Sequence, residues 1–323
     1  MFFDNIILNT AVLAFVGGVF GSCLGGLWVF CLDCFLVLAG SVVLFCGGSD
    51  FLLFQIGLGP LFGPQSTFLG GTIAAAYAAG IKKNHPGGSG KDIISPLLDT
   101  SWDVLAVGGL GAVVCALLVV AMPHIPVLNR SDHLALPIVL VSMVGRFIFY
   151  RETPLGQAES IKKHGQFVTD NYNLSWAGWM SPPSRLFFVG MAAGGISGAM
   201  AMFTQQALQP LAAAGKISVA AAGTVPVLFF WGVSGLMLTA LFLGKGPVQK
   251  VPVTHGIAVL GAAAYLNSGS LLVSIAAGIG AAFLQELMAR LFYNHGSDHV
   301  DPPASAIAVG IFIYSFIPWK LFS

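Results

Sequence analysis

Few side chains in this sequence are able to bind, ionise or react, and those few stand in telling places. Asp33 lies inside Phe30-Cys-Leu-Asp-Cys-Phe35, within an apolar run. A carboxylate in hydrocarbon is costly unless it is protonated, paired or turned toward a cavity. Asp33 is therefore read as a functional group suited to a coupling proton or cation, with an interfacial position as the alternative. Gln65, Ser66 and Thr67 directly follow Gly57-Leu-Gly-Pro-Leu-Phe-Gly-Pro64, and Thr254 and His255 follow Gly244-Lys-Gly-Pro247 and Pro252. Breaks of this kind open helices whose N-terminal N–H groups attract anions. Neutral donors and acceptors at such openings suit a small anionic or polar solute, and Asn267 and Gln285 add polarity near Glu286 and Arg290. The competing reading is ordinary capping by Ser and Thr.

Two Asp/His segments are the most polar stretches: Asn129–His133, with Ser131-Asp132-His133, and Asn294–Asp301, with His295, Ser297-Asp298-His299 and Asp301, where His295 is a further candidate ligand. Asp132, His133, Asp298, His299 and Asp301 are of the types that ligate a divalent ion or line a gate. Each segment also precedes a helix start with Pro close by, where Asp is a natural cap. Glu286 and Arg290 are spaced for a structural ion pair on one helix face. Arg146, near the end of an apolar run, is read as snorkelling, with anion binding as the alternative. Cys31-x-x-Cys34 has no second pair, and the five cysteines read as small hydrophobes. The loop Asn84–Asp92 lacks the Ser or Thr that a phosphate-binding Gly-Lys-[Ser/Thr] turn needs. No His-Glu-x-x-His, Gly-x-Ser-x-Gly or haem-attachment motif occurs, so the chain is not expected to be an enzyme, and no cofactor is expected.

The elements that must position these residues follow from composition. Of 323 residues, 56% are hydrophobic and 8% charged, against about 25% charged in soluble domains. Net charge is +1, which excludes an electrostatic pull toward nucleic acid. Backbone groups in lipid must be satisfied internally, and runs such as Val104–Met122 show no strand alternation, so they are helices. Ten are expected, near 6–22, 27–47, 66–81, 102–122, 134–150, 186–203, 217–243, 253–267, 271–293 and 303–321. The third and eighth are short for a span of about 20 residues.

The halves echo each other. Pro64 and Tyr77 match Pro252 and Tyr265, the two Ser-Asp-His-x-x-x-Pro segments match, and Gly17-Gly18 matches Gly194-Gly195. The expected organisation is therefore repeat one at 1–151, a connecting loop with an interfacial segment at 152–185, and repeat two at 186–323. Lys and Arg outside the runs divide ten to three between the two sides. That places loops 82–99 and 152–185 in the cytoplasm of a bacterial-type plasma membrane. Ten crossings make the repeats inverted. If the two short helices dip in and return, eight cross, the repeats are parallel and the charge ratio is unchanged. The acidic, lysine-free Met1–Asn5 favours the inverted plan, which resembles inverted-repeat transporters in architecture alone. The functional expectation is a secondary transporter or facilitator with its site between the repeats. Its partners would be the bilayer, a small solute or ion and, as a candidate, a second copy of the chain. A channel of the same plan comes second, and an intramembrane metal-dependent enzyme third.

Overall fold

The computed structural model describes residues 6–167, 174–244 and 246–319. Met1–Asn5, which enters the topology argument above, and Lys245 and Lys320, two of the positive residues counted there, lie outside them. The described residues are all-helical, with two isolated backbone bridges and no strands. The helices are α1 (Ile6–Leu24), α2 (Gly26–Phe45), α3 (Thr67–Tyr77), α4 (Trp102–Ala121), α5 (Ala135–Tyr150), α6 (Ala158–His164), α7 (Pro183–Ala213), α8 (Val219–Leu236), α9 (His255–Ser268), α10 (Leu271–Met288) and α11 (Pro302–Tyr314). With the turns that extend some of them, six are long and apolar enough to cross a membrane: α1, α2, α4, α7, α8 and α10.

Two expected boundaries shift. α7 runs from Pro183 to Ala213 instead of 186–203. Its 31 residues make about 46 Å of helix, more than a hydrocarbon core of about 30 Å. Thr204-Gln-Gln-Ala-Leu continues the helix because Gln, Ala and Leu are good helix formers whatever surrounds them. α11 stops at Tyr314 instead of continuing to 321. Pro318 disfavours helix at the residue before it, and Trp319 Nε1 turns back to donate to Tyr314 O at 3.1 Å. α3 and α9 are short, at 11 and 14 residues. α6 is the helical part of the expected interfacial segment.

The chain forms two compact units, each drawn from both halves of the sequence. In the first (Met1–Phe30, Gly59–Trp176, Leu287–Ala308), α1, α3 and α4 meet through glycines. A Cβ on Gly70 would stand 2.4 Å from Gly18 Cα, and one on Gly108 would stand 2.7 Å from Gly70 O. Ser22 Oγ lies 2.7 Å from Gly18 O and 3.2 Å from Gly70 O. In the second unit (Cys31–Leu58, Ala177–Glu286, Val309–Ser323), α7, α9 and α10 meet in the same manner. A Cβ on Gly278 would stand 2.4 Å from Gly194 Cα, and Ser274 Oγ lies 2.8 Å from both Gly194 O and Gly261 O. Such small-residue seams let backbones approach where lipid supplies no hydrophobic drive between helices.

Candidate functional site

In the second unit, the interruption before α9 returns deep into the apolar bundle. Thr254 Oγ1 donates to Ser234 Oγ at 3.1 Å, with Ser234 on α8. Gln285 on α10 donates Nε2 to Val253 O at 2.9 Å. Gln285 is 1% exposed, and its Oε1 has no hydrogen-bond partner. Thr254 flanks α9 without capping it through its side chain, so the first N–H groups of that helix receive no side-chain oxygen from it. His255 is buried as the first residue of α9. A donor, the Ser234 hydroxyl, and an unpartnered acceptor, Gln285 Oε1, thus lie beside one helix start. Asn267 is on the last turn of the same helix, about 18 Å from His255. It is exposed and donates to Ala263 O at 2.8 Å, so it is not brought to that start.

Asp33 belongs to this unit too. It is fully buried, and neither carboxyl oxygen has a hydrogen-bond partner. Its helix packs on α8 nearby: Cys31 Sγ lies 3.5 Å from Gly235 O, and a Cβ on Gly232 would meet Leu38 at 2.9 Å. Cys31 and Cys34 are buried free thiols.

In the first unit, residues 59–66 form a non-helical, largely buried turn before α3. Its carbonyls occupy the N–H groups of the helix start: Gly63 O accepts from Ser66 and Thr67, and Pro64 O from Leu69. Gln65 Nε2 donates to Gly59 O at 3.2 Å and Thr67 Oγ1 to Phe62 O at 2.8 Å. Ser66 Oγ is buried without a partner.

The Asp/His segments are helix starts. Asp132 Oδ1 accepts from Leu134 N at 2.9 Å and Ala135 N at 2.7 Å, and Asp301 Oδ2 from Ala304 N at 2.7 Å. His133 Nε2 lies 3.1 Å from Asn129 O, and His299 Nε2 lies 3.2 Å from Asp301 Oδ1. Among the described residues no three His, Cys, Asp or Glu side chains converge to hold a metal ion.

Asp298 does something else. Arg146, fully buried four residues before the end of α5, donates Nε to Asp298 Oδ1 at 2.5 Å, Nη2 to Asp298 O at 3.3 Å and Nη1 to Pro154 O at 2.8 Å. Burial raises the Asp298 carboxyl pKa, and Arg146 opposes that rise. Lys91 Nζ donates to Asn294 O at 2.9 Å and sits 4.6 Å above the Tyr293 ring. Burial lowers the Lys91 pKa to about 8, with Arg146 adding to the fall and Asp298 and Glu152 opposing it. Glu152 accepts from Ser297 N at 3.0 Å and Ser297 Oγ at 2.5 Å, and Gln157 N donates to His295 O at 3.0 Å. Three loops thus interlock, and each brings a glycine to the contact. A Cβ on Gly90 would stand 2.2 Å from Tyr150 Oη, one on Gly156 2.4 Å from His295 C, and one on Gly296 2.1 Å from Arg146 Nη2. Arg290 Nη1 donates to Phe167 O at 2.7 Å, and Glu286 is buried.

The pairing of Arg146 with Asp298 has no local sequence signal, since 152 residues separate them. The place of Arg146 near the end of an apolar run suggests snorkelling, but the guanidinium is instead fully buried against Asp298. Gln285 and Ser234 carry no motif at all.

No curated protein and no solved structure matches the chain. A family model matches it over residues 2–160 and 175–319. These cover nearly the whole sequence, and the chain belongs to that family of unknown function, DUF7973.

Proposed function

We propose that this protein is a secondary transporter or facilitator for a small polar or anionic solute, built from ten membrane segments in two inverted repeats of five. The observation that carries the reading is the polar start of α9. Thr254, Ser234 and Gln285 surround an interrupted helix within an otherwise apolar unit, and Gln285 Oε1 is left unpartnered. Non-helical backbone at membrane depth occurs where protein buries it or where it lines a cavity, and interrupted helices aimed at a solute are a recurrent transporter device. Asp33, buried without a partner in the same unit, is the candidate for the coupling proton or cation.

Support for ten crossings comes from which loops touch. Leu27 N donates to Ile93 O, Leu97 N to Ser22 O, Lys91 Nζ to Asn294 O and Gln157 N to His295 O. The loops after α1, α3, α5 and α10 therefore share one end of the first unit. The ten-segment plan requires this, whereas the eight-segment plan puts the loops after α1 and α10 on the side opposite those after α3 and α5. The matching glycine seams favour a duplicated unit. By the excess of Lys and Arg, the shared end faces the cytoplasm.

The test is flux into proteoliposomes carrying a trapped pH-sensitive dye, challenged with acetate, formate, bicarbonate and phosphate. Saturable uptake of at least one is expected, with severe loss in Asp33→Asn and Gln285→Ala while both variants elute as the native protein does on size exclusion. Undiminished flux in both variants would remove the site, and no flux of any probe would count against transport of anions.

A further inference from the structure

A cleft of about 400 Å³ opens at the N-terminal end of α7, lined by Trp179, Met180, Ser184, Arg185, Phe188, Val189, Lys250 and Pro252. Ser184 and Phe188, and Arg185 and Val189, are pairs four residues apart, so the first two turns of α7 present one face to the cleft. The segment Lys250–Pro252 forms another wall, and the two are tied by Trp179 Nε1 donating to Val251 O at 3.0 Å. Arg185 Nη1 donates to Trp179 O at 2.6 Å, which anchors one edge of the guanidinium and leaves its other donors for a ligand. Lys250 is exposed and has no partner among the described residues. No acidic side chain lines the cleft. Its lower wall is apolar and ends on Phe188, 62% exposed on the flank of a helix long and apolar enough to cross a membrane.

We propose that this cleft binds an acidic phospholipid, its phosphate held by Arg185 and Lys250 and an acyl chain lying along Phe188 and Val189. Two cations with no acid opposite them select net negative charge, and a tryptophan at the mouth suits the headgroup level of a bilayer. Continuity of the apolar wall with the flank of α7 favours a lipid over a soluble anion, which would leave Met180, Phe188 and Pro252 uncovered.

Native mass spectrometry of the detergent-purified full chain tests this, with phosphatidylglycerol and phosphatidylcholine of matched acyl chains. Phosphatidylglycerol should be retained preferentially. Retention should fall roughly fivefold for each basic residue removed, in Lys250→Gln and again in Arg185→Gln/Lys250→Gln. Because Arg185 also holds Trp179 O, Lys250→Gln alone is the cleaner variant, and Arg185→Lys/Lys250→Arg should keep the preference. Equal retention of the two lipids, or a preference that survives the double Gln variant, would overturn the proposal. So would displacement of phosphatidylglycerol by inorganic phosphate at constant ionic strength, which would mark a soluble-anion site. The assay reads binding alone, so its outcome is independent of whether the protein transports anything.

Discussion

Replacing one member of the buried Arg146–Asp298 pair should destabilise the protein far more than replacing both. Arg146 is fully buried and Asp298 is 1% exposed, so either group left alone keeps most of its desolvation cost. Breaking a buried pair by removing one partner costs about 3–5 kcal/mol, whereas an apolar replacement of both is often neutral or better. At about 2 °C per kcal/mol for a chain of this size, Arg146→Met and Asp298→Leu should each lower the melting midpoint by about 6–10 °C. The double variant forfeits the hydrogen bond from Arg146 to Pro154 O as well, worth about 1 kcal/mol. It should therefore melt within a few degrees of the native protein. The assay is fluorescence-detected size exclusion of heated, detergent-purified protein. Single variants that melt within about 2 °C of native, or a double variant that loses the sum of the two, would refute the reasoning, because either result denies that the two charges depend on each other.

The remaining predictions concern packing and pH. Gly278→Ala and Gly70→Ala push a Cβ to 2.4 Å from a neighbouring helix backbone and should cost about 2–4 kcal/mol or prevent folding. Gly280→Ala and Gly223→Ala, with nothing within 4 Å, should be neutral or gain up to about 1 kcal/mol from helix propensity, read by the same melting assay. Gly296→Ala drives its Cβ into the pinned Arg146 guanidinium and should cost about 1–3 kcal/mol. Lys91 has a pKa of about 8 when folded against an ordinary 10.5. Between those values unfolding takes up a proton, so stability should rise with pH across that window, with the full penalty present below it. Lys91→Met should flatten the rise in melting temperature between about pH 8 and 10, and an unchanged slope would show that Lys91 is not its source.

Much of this molecule follows from its residue order alone. Low charge and long apolar runs require helices because hydrocarbon offers backbone groups no other partner. The apolar runs are helical among the described residues, and the Gly/Pro breaks before α3 and α9 interrupt them, since Pro removes a donor and Gly relaxes the backbone wherever they stand. Asp132 and Asp301 cap helices because capping is a contact between near neighbours. The helix ends were less legible: α7 overruns its apolar stretch because polar residues such as Gln are good helix formers too.

Only the tertiary structure could bring Arg146 to Asp298, Lys91 to Asn294 and Gln285 to Val253, across 152, 203 and 32 residues. No periodicity encodes such meetings. They exist because helices packed through Gly18, Gly70 and Gly108 in one unit, and Gly194, Gly261 and Gly278 in the other, set where each helix ends and which loops meet there. Sequence decided which groups must be hidden from lipid, and close helix packing decided which of them hide together.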